Sequence, residues 1–149
     1  MAVQHEIAVR WADLDLMGHV NNVRAMEFLQ EARIALITEL GYAITADSAG
    51  VTFEGVGQVI ARHEVDYVAP ILHSHGHVLV ESWLDHIGRS SYTIVHVVTL
   101  PDGTVAIRSR ATMVCIDPTT GRSAPIPELW RDSLAAHLIS TATATTATT

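Results

Sequence analysis

The apolar positions change period once along the chain, and that change predicts its elements. Between Val23 and Leu40, residues Ala25, Phe28, Leu29, Ala32, Ala35, Leu36 and Leu40 recur every three or four positions. That is the stripe of an amphipathic helix. Arg24, Glu27, Glu31 and Thr38 fall on its other side, and Gly41 supplies a stop. Downstream the period shortens to two. From Gln58 to Val68, the residues Val59, Ala61, Val65 and Tyr67 alternate with Arg62, Glu64 and Asp66, as in a half-buried strand. Val78 to Asp85, Ser91 to Leu100 and Thr104 to Ile116 read as three more strands, rich in β-branched residues. Pro101-Asp102-Gly103 makes the turn between the last two, and Asp117 to Gly121 closes the run. Glu6 to Arg10 reads as a short strand ahead of the helix. Tyr42 to Gly57 has no period and reads as a loop anchored by Phe53. Pro127 to Leu138 reads as a short terminal helix, with Pro127 near its first turn.

The order of strand, long helix and antiparallel strands predicts an α+β domain whose sheet wraps one helix. Residues 1–140 are expected to form that single domain. Residues 141–149 are only Thr and Ala and are expected to be a disordered tail. The 149 residues suffice to bury a core. A net charge of −7 argues against a broad nucleic-acid surface. The N-terminus lacks a basic region followed by an apolar stretch, and no run has membrane-spanning length. A cytoplasmic protein with no membrane partner is expected. The one cysteine, Cys115, sits in the apolar run Met113 to Ile116 and reads as a buried small hydrophobe.

The densest chemistry lies between Val9 and Asn22. Asp15 sits in a glycine-containing turn, directly ahead of the long helix. Asn21 and Asn22 are both good N-cap residues. A helix start concentrates unpaired N–H donors and partial positive charge. A carboxylate beside such donors suits acyl transfer. The donors polarise a carbonyl, and the carboxylate attacks the carbon or directs water at it.

These residues also carry a resemblance. Asp13-x-Asp15-x-x-Gly18-His19-Val20-Asn21-Asn22, followed by Glu31-Ala32-Arg33, resembles the 4-hydroxybenzoyl-CoA thioesterase family of hotdog-fold acyl-CoA thioesterases. The likeness continues through Asp66-Tyr67-x-x-Pro70, Gly88-Arg89-Ser90-Ser91 and Val114-x-x-Asp117. The resemblance implies a hotdog fold, with an antiparallel sheet around one long central helix. It implies hydrolysis of an acyl-CoA thioester to a carboxylic acid and coenzyme A. Asp15 matches the family's catalytic aspartate, as nucleophile or general base. The amide near Asn22 matches its carbonyl-polarising donor; Gly18 permits close approach of the backbone to the ligand, and His19 orients the substrate or holds the turn. Arg89, Ser90 and Ser91 lie where the family holds the coenzyme A arm, with Arg62 and Arg122 as further phosphate candidates. No cofactor is implied. The family also implies a homo-oligomer, a dimer or a dimer of dimers, with sites at the interface.

Other readings compete. A hotdog hydratase or dehydratase on acyl thioesters would place its Asp or Glu and His elsewhere in the fold. A non-catalytic acyl-CoA-binding protein would need no carboxylate in the turn. Asp13 reads as a structural cap of the turn. His73, His75 and His77 alternate and invite a metal site. Gly76 and Pro70 suggest a loop there instead, no Cys or acidic partner stands close by, and no metal is expected.

Overall fold

Seven strands and two helices account for the backbone of this computed structural model, which describes residues 1–41, 44–47 and 50–139. Strand β1 (Val3–Ala8) leads into a short 3-10 turn at Trp11–Asp13 and then the long helix α1 (Asn22–Glu39). Asn21 caps α1, its side chain accepting from Val23 N at 2.8 Å. At the other end Gly41 takes a φ of +73° and its N–H donates to Thr38 O. That left-handed C-terminal position favours glycine. The remaining elements are β2 (Ile44–Asp47), β3 (Gly50–Phe53), β4 (Gly57–Tyr67), β5 (His77–Ile87), β6 (Ser91–Thr99), β7 (Val105–Ile116) and α2 (Glu128–Ala136).

Five strands form one antiparallel sheet in the order β1-β5-β6-β7-β4. Helix α1 packs on one face of it, as the pattern predicts. Ala25, Phe28, Leu29 and Ala32 are buried with Val78, Val80, Val98 and Ile107 in one cluster. Leu36 and Leu40 are buried with Leu84, Tyr92, Ile94 and Met113 in a second, which Trp130 and Leu134 of α2 complete. Each such aliphatic side chain contributes about 1.5–3 kcal/mol when fully buried. The small Ala25 and Ala32 let the helix lie close to the sheet.

A polar belt separates the two clusters. Ser82 of β5 stands opposite His96 of β6, which stands opposite Ser109 of β7. The Ser82 hydroxyl and His96 Nδ1 are 2.7 Å apart, as are Ser109 Oγ and His63 Nε2 on β4. His96 is fully buried and its Nε2 has no partner among the described residues. Burial, helped by the nearby charges of Arg33 and His63, drops the His96 pKa to about 3.

Two expectations are corrected. The segment read as a loop between Tyr42 and Gly57 contains the β2–β3 hairpin. Its strands are only four residues each, too short to show a period. The β4 alternation is interrupted by a bulge between Ile60 and Arg62. An extra residue flips every side chain beyond it to the other face. Gln58 and Ile60 therefore share the helix side with His63, Val65 and Tyr67, and Val59 and Ala61 do not join them. His73 and His75 lie in the loop expected there, and His77 opens β5. His73–His75 form a 3-10 turn in which His73 stacks on Trp11 and His75 Nδ1 accepts from Leu72 N. The tail read at 141–149 lies outside the described residues.

The belt makes stability pH-dependent. His96 is held neutral in the folded state, while the unfolded chain takes up its proton near pH 6.5. The unfolded state then binds more protons below that value, so stability is complete above pH 6.5 and falls as the pH drops toward 3. Thermal melts across that window should show a falling Tm. His96→Gln should flatten the slope between pH 6.5 and 5, above the range where carboxylates contribute. Parallel slopes in the two proteins would remove His96 from this role.

Candidate active site

The turn before α1 is built on Asp13. Its buried carboxylate accepts from Arg10 N at 2.8 Å and from the Arg10 guanidinium at 2.9 Å. Desolvation works against ionisation there, but the hydrogen bonds and charge of Arg10 outweigh it and hold the carboxyl below its ordinary value. The Asp13 carbonyl accepts from Asn21 N, which ties the helix cap to the strand end. Asp13 is thus a structural residue, as expected.

The chain between those anchors folds back on itself. Asp15 N donates to His19 O, and Gly18 N donates to Asp15 O. Gly18 closes the turn at φ +78°, a conformation that favours glycine. Asp15 Oδ1 accepts from Met17 N at 2.8 Å and from His19 N at 3.3 Å. Its Oδ2 has no hydrogen-bond partner among the described residues. The carboxylate is therefore oriented by one oxygen and available through the other. Val20 N donates to Ile71 O, so the turn is sewn to the loop after β4.

These contacts gather Asp15, His19 and Asn22 around an open cleft of about 420 Å³, with Ala25, Tyr67 and Pro70 on its apolar side. Asn22 is the first residue of α1. Its N–H has no acceptor within the helix, because the first turn has no preceding carbonyl. A carbonyl oxygen placed there meets that donor and the positive end of the helix. Four of the sequence-derived residues, Asp15, Gly18, His19 and Asn22, thus share one place. Tyr67 and Pro70 were legible only as parts of the resemblance, without a role. Their position at the end of β4 is what brings them to the cleft.

The candidate coenzyme A residues lie elsewhere in the chain. Arg89, Ser90 and Ser91 form the tight β5–β6 turn, with Gly88 N donating to Ser91 O at 2.7 Å. The Arg89 carbonyl accepts from Ile126 N and from the Arg131 guanidinium, which fixes the backbone while the side chain stays exposed. Arg122 lies nearby, its carbonyl accepting from Asp117 N. Ser91 pairs with Val114, whereas Tyr67 pairs with Ile107. Seven residues of β7 separate the two ends, roughly 23 Å at strand spacing. Arg62 projects from the middle of β4 on the face away from α1 and pairs with Glu64. The Cys115 thiol is buried, and burial pushes its pKa up to about 11, so it is no nucleophile. Among the described residues no three His, Cys, Asp or Glu side chains gather as metal ligands.

The sequence pattern of the thioesterase-like superfamily matches residues 9–138. The chain belongs to this superfamily. It is 30% identical over 133 residues to the long-chain acyl-CoA thioesterase FadM of Escherichia coli K12, covering 89% of this chain and 96% of that one. Among solved structures, a predicted thioesterase from Bacillus stearothermophilus superposes with a TM-score of 0.79 at 30% identity. That match covers 94% of this chain and 98% of the other. A thioesterase from Thermus thermophilus, solved with coenzyme A and Zn, superposes with a TM-score of 0.73 at 34% identity, over 89% and 91% of the two chains. The five-stranded sheet around α1 is accordingly the hotdog thioesterase fold.

Proposed function

We propose that this thioesterase-like protein hydrolyses acyl-CoA thioesters to a carboxylic acid and coenzyme A, with Asp15 as the reacting carboxylate. The observation that carries the proposal is the free oxygen of Asp15 facing a cleft that also holds the start of α1. With the thioester carbonyl oxygen on the Asn22 amide, charge developing on that oxygen is stabilised without reorganisation. Asp15 then adds to the carbonyl carbon, or takes a proton from the water that does so. The C–S bond breaks and coenzyme A leaves as its thiolate; where Asp15 itself has added, water then hydrolyses the acyl-aspartyl anhydride to the acid and free Asp15. His19 helps hold the turn, since its N–H and carbonyl both bond to Asp15. The relatives named above, one an acyl-CoA thioesterase and one solved with coenzyme A, support this substrate class. The finer 4-hydroxybenzoyl-CoA assignment rests on the motif resemblance alone. Among the described residues no helix is long and apolar enough to cross a membrane.

The same proposal includes a second copy of the chain. Strand β4 is an edge of the sheet, with Val59 43% and Tyr67 53% exposed. An exposed apolar edge invites pairing. Antiparallel pairing of β4 with its own copy about a two-fold axis sets the Gly57 end of one beside the Tyr67 end of the other. The Arg89 turn lies at the Gly57 end. Each Asp15 cleft would then face the partner's Arg89, Ser90 and Ser91, placed to bind the coenzyme A arm. Because the protein is acidic overall, such local cations must offset long-range repulsion of the phosphates.

Three outcomes test this reading. Asp15→Asn should keep a folded oligomer and lower kcat for thiol release at least about a hundredfold across acyl-CoAs of varied length, aromatic ones included. Near-normal turnover would remove Asp15 from the mechanism. Light scattering at micromolar concentration should give the mass of a dimer or a dimer of dimers; an active single chain would refute the shared site. Arg89→Ala should raise KM for acyl-CoA about tenfold with kcat little changed, and should spare an acyl-pantetheine thioester that lacks the nucleotide. Equal damage to both substrates would assign Arg89 to folding or chemistry instead.

A further inference from the structure

One face of α1 carries a line of residues away from the cleft. Asn22, Met26, Leu29 and Arg33 are spaced by four, three and four, so they stack along one side of the helix. Arg33 lies eleven residues beyond Asn22, roughly 16 Å along the axis. Strand β4 runs beside it in the opposite direction. Tyr67, Val65 and His63 share the helix side, and His63 lies roughly 13 Å from Tyr67 at strand spacing. Both lines start at the Asp15 cleft, since Asn22 and Tyr67 line it. Both end together, since the charge of Arg33 acts on His63. The side chains along the two lines are apolar: Met26, 37% exposed, and the partly buried Val65, with the fully buried Leu29 beneath them.

The far end is rich in donors and poor in acceptors. Arg33 is half-buried and has no hydrogen-bond or ion-pair partner among the described residues. Burial lowers its pKa, which is the sign of a cation held without a counter-charge. The neighbouring Tyr92 hydroxyl donates to Gln58 Oε1, and the Gln58 amide nitrogen is buried with no partner among the described residues. His63 is kept neutral by burial and by Arg33. Buried donors are ordinarily satisfied, and a guanidinium fork matches a carboxylate. The cluster therefore lacks one component, an anionic acceptor.

We infer that the Asp15 cleft continues between α1 and β4 as an acyl groove ending at Arg33, and that its substrates carry a carboxylate at the distal end of the acyl chain. This rests on the thioesterase reading and names the acyl class within it. The apolar walls take the methylenes. The Arg33 guanidinium receives the terminal carboxylate, with the Gln58 amide as a second donor. The groove's length suits a medium chain and exceeds a single aromatic ring.

The test compares the monothioester dodecanedioyl-CoA with dodecanoyl-CoA, both as substrates and as non-cleavable thioether analogues in calorimetry. The wild-type protein should prefer the carboxylated chain in kcat/KM and in Kd. Arg33→Met should lower that preference ratio at least about tenfold, the scale of a lost charge-assisted contact. Arg33→Lys, a charge without the fork, should fall between. A wild-type preference for the plain chain overturns the inference. So does a ratio that Arg33→Met leaves unmoved, as for an arginine that only supports the fold or is held by a second copy. Should Arg33→Met fail to fold, the wild-type ratio and Arg33→Lys decide. The two readings fail separately. If the analogues bind with the carboxylate preference but no thioester is cleaved, the hydrolase reading falls and the groove stands. If both thioesters are cleaved with equal kcat/KM, the groove falls and the hydrolase stands.

Discussion

The buried carboxylate of Asp13 is the constraint on which the cleft depends. It satisfies the Arg10 amide and guanidinium at the exit of β1, while its own carbonyl receives the Asn21 amide at the entry to α1. Strand end and helix start are thereby held at a fixed separation. The residues between have to form a closed turn, and Gly18 lets them do so. Asp15 is presented from that turn with one oxygen engaged. Removing one partner of a buried charged contact costs far more than the contact contributes. The reacting carboxylate is therefore only as well placed as the non-reacting one two residues before it.

The helix and the sheet were legible because their periods are long and regular. Eighteen residues of α1 give several turns of a repeating stripe, and Asn21 and Gly41 mark its ends. The first site was legible for a different reason. Asp15, Gly18, His19 and Asn22 lie close in sequence, so local turn chemistry brings them together. Tyr67 and Pro70 reach the same cleft only through the pairing of β4 with β7, which no local pattern encodes. The β2–β3 hairpin was missed because four-residue strands carry too little pattern. Arg33 was visible as part of a motif, but its lack of a counter-charge is a property of packing. Nothing in Glu31-Ala32-Arg33 says that the arginine turns toward the sheet while the glutamate does not pair with it.

The core is in effect two cores. Leu29 and Val98 belong to the one beneath the cleft, Leu36 and Ile94 to the one capped by α2. The belt of Ser82, His96, Ser109 and His63 runs between them across four strands. A continuous aliphatic layer would pack without the cost of a buried imidazole nitrogen lacking a partner. The belt gives each strand a distinct polar position. A slip of one residue in any pairing would break its hydrogen bonds and turn the hydroxyls and the imidazoles to the outer face. The polar layer thus acts as a register mark for a sheet whose remaining helix-facing positions are nearly interchangeable.

The bulge between Ile60 and Arg62 has a wider consequence than a kink in an edge strand. It sets the phase of the strand on either side independently. Upstream, Gln58 and Ile60 face inward at one end of the sheet; downstream, His63, Val65 and Tyr67 face inward along the cleft. A chain that lost Ala61 and kept these β7 partners would leave every remaining side chain on its present face and only straighten the ladder. A residue lost from the regular part of β4 would instead throw one half of the strand out of phase with β7 and turn that wall inside out. The bulge is thus a place where the edge strand can change its length without changing which side chains line the cavity.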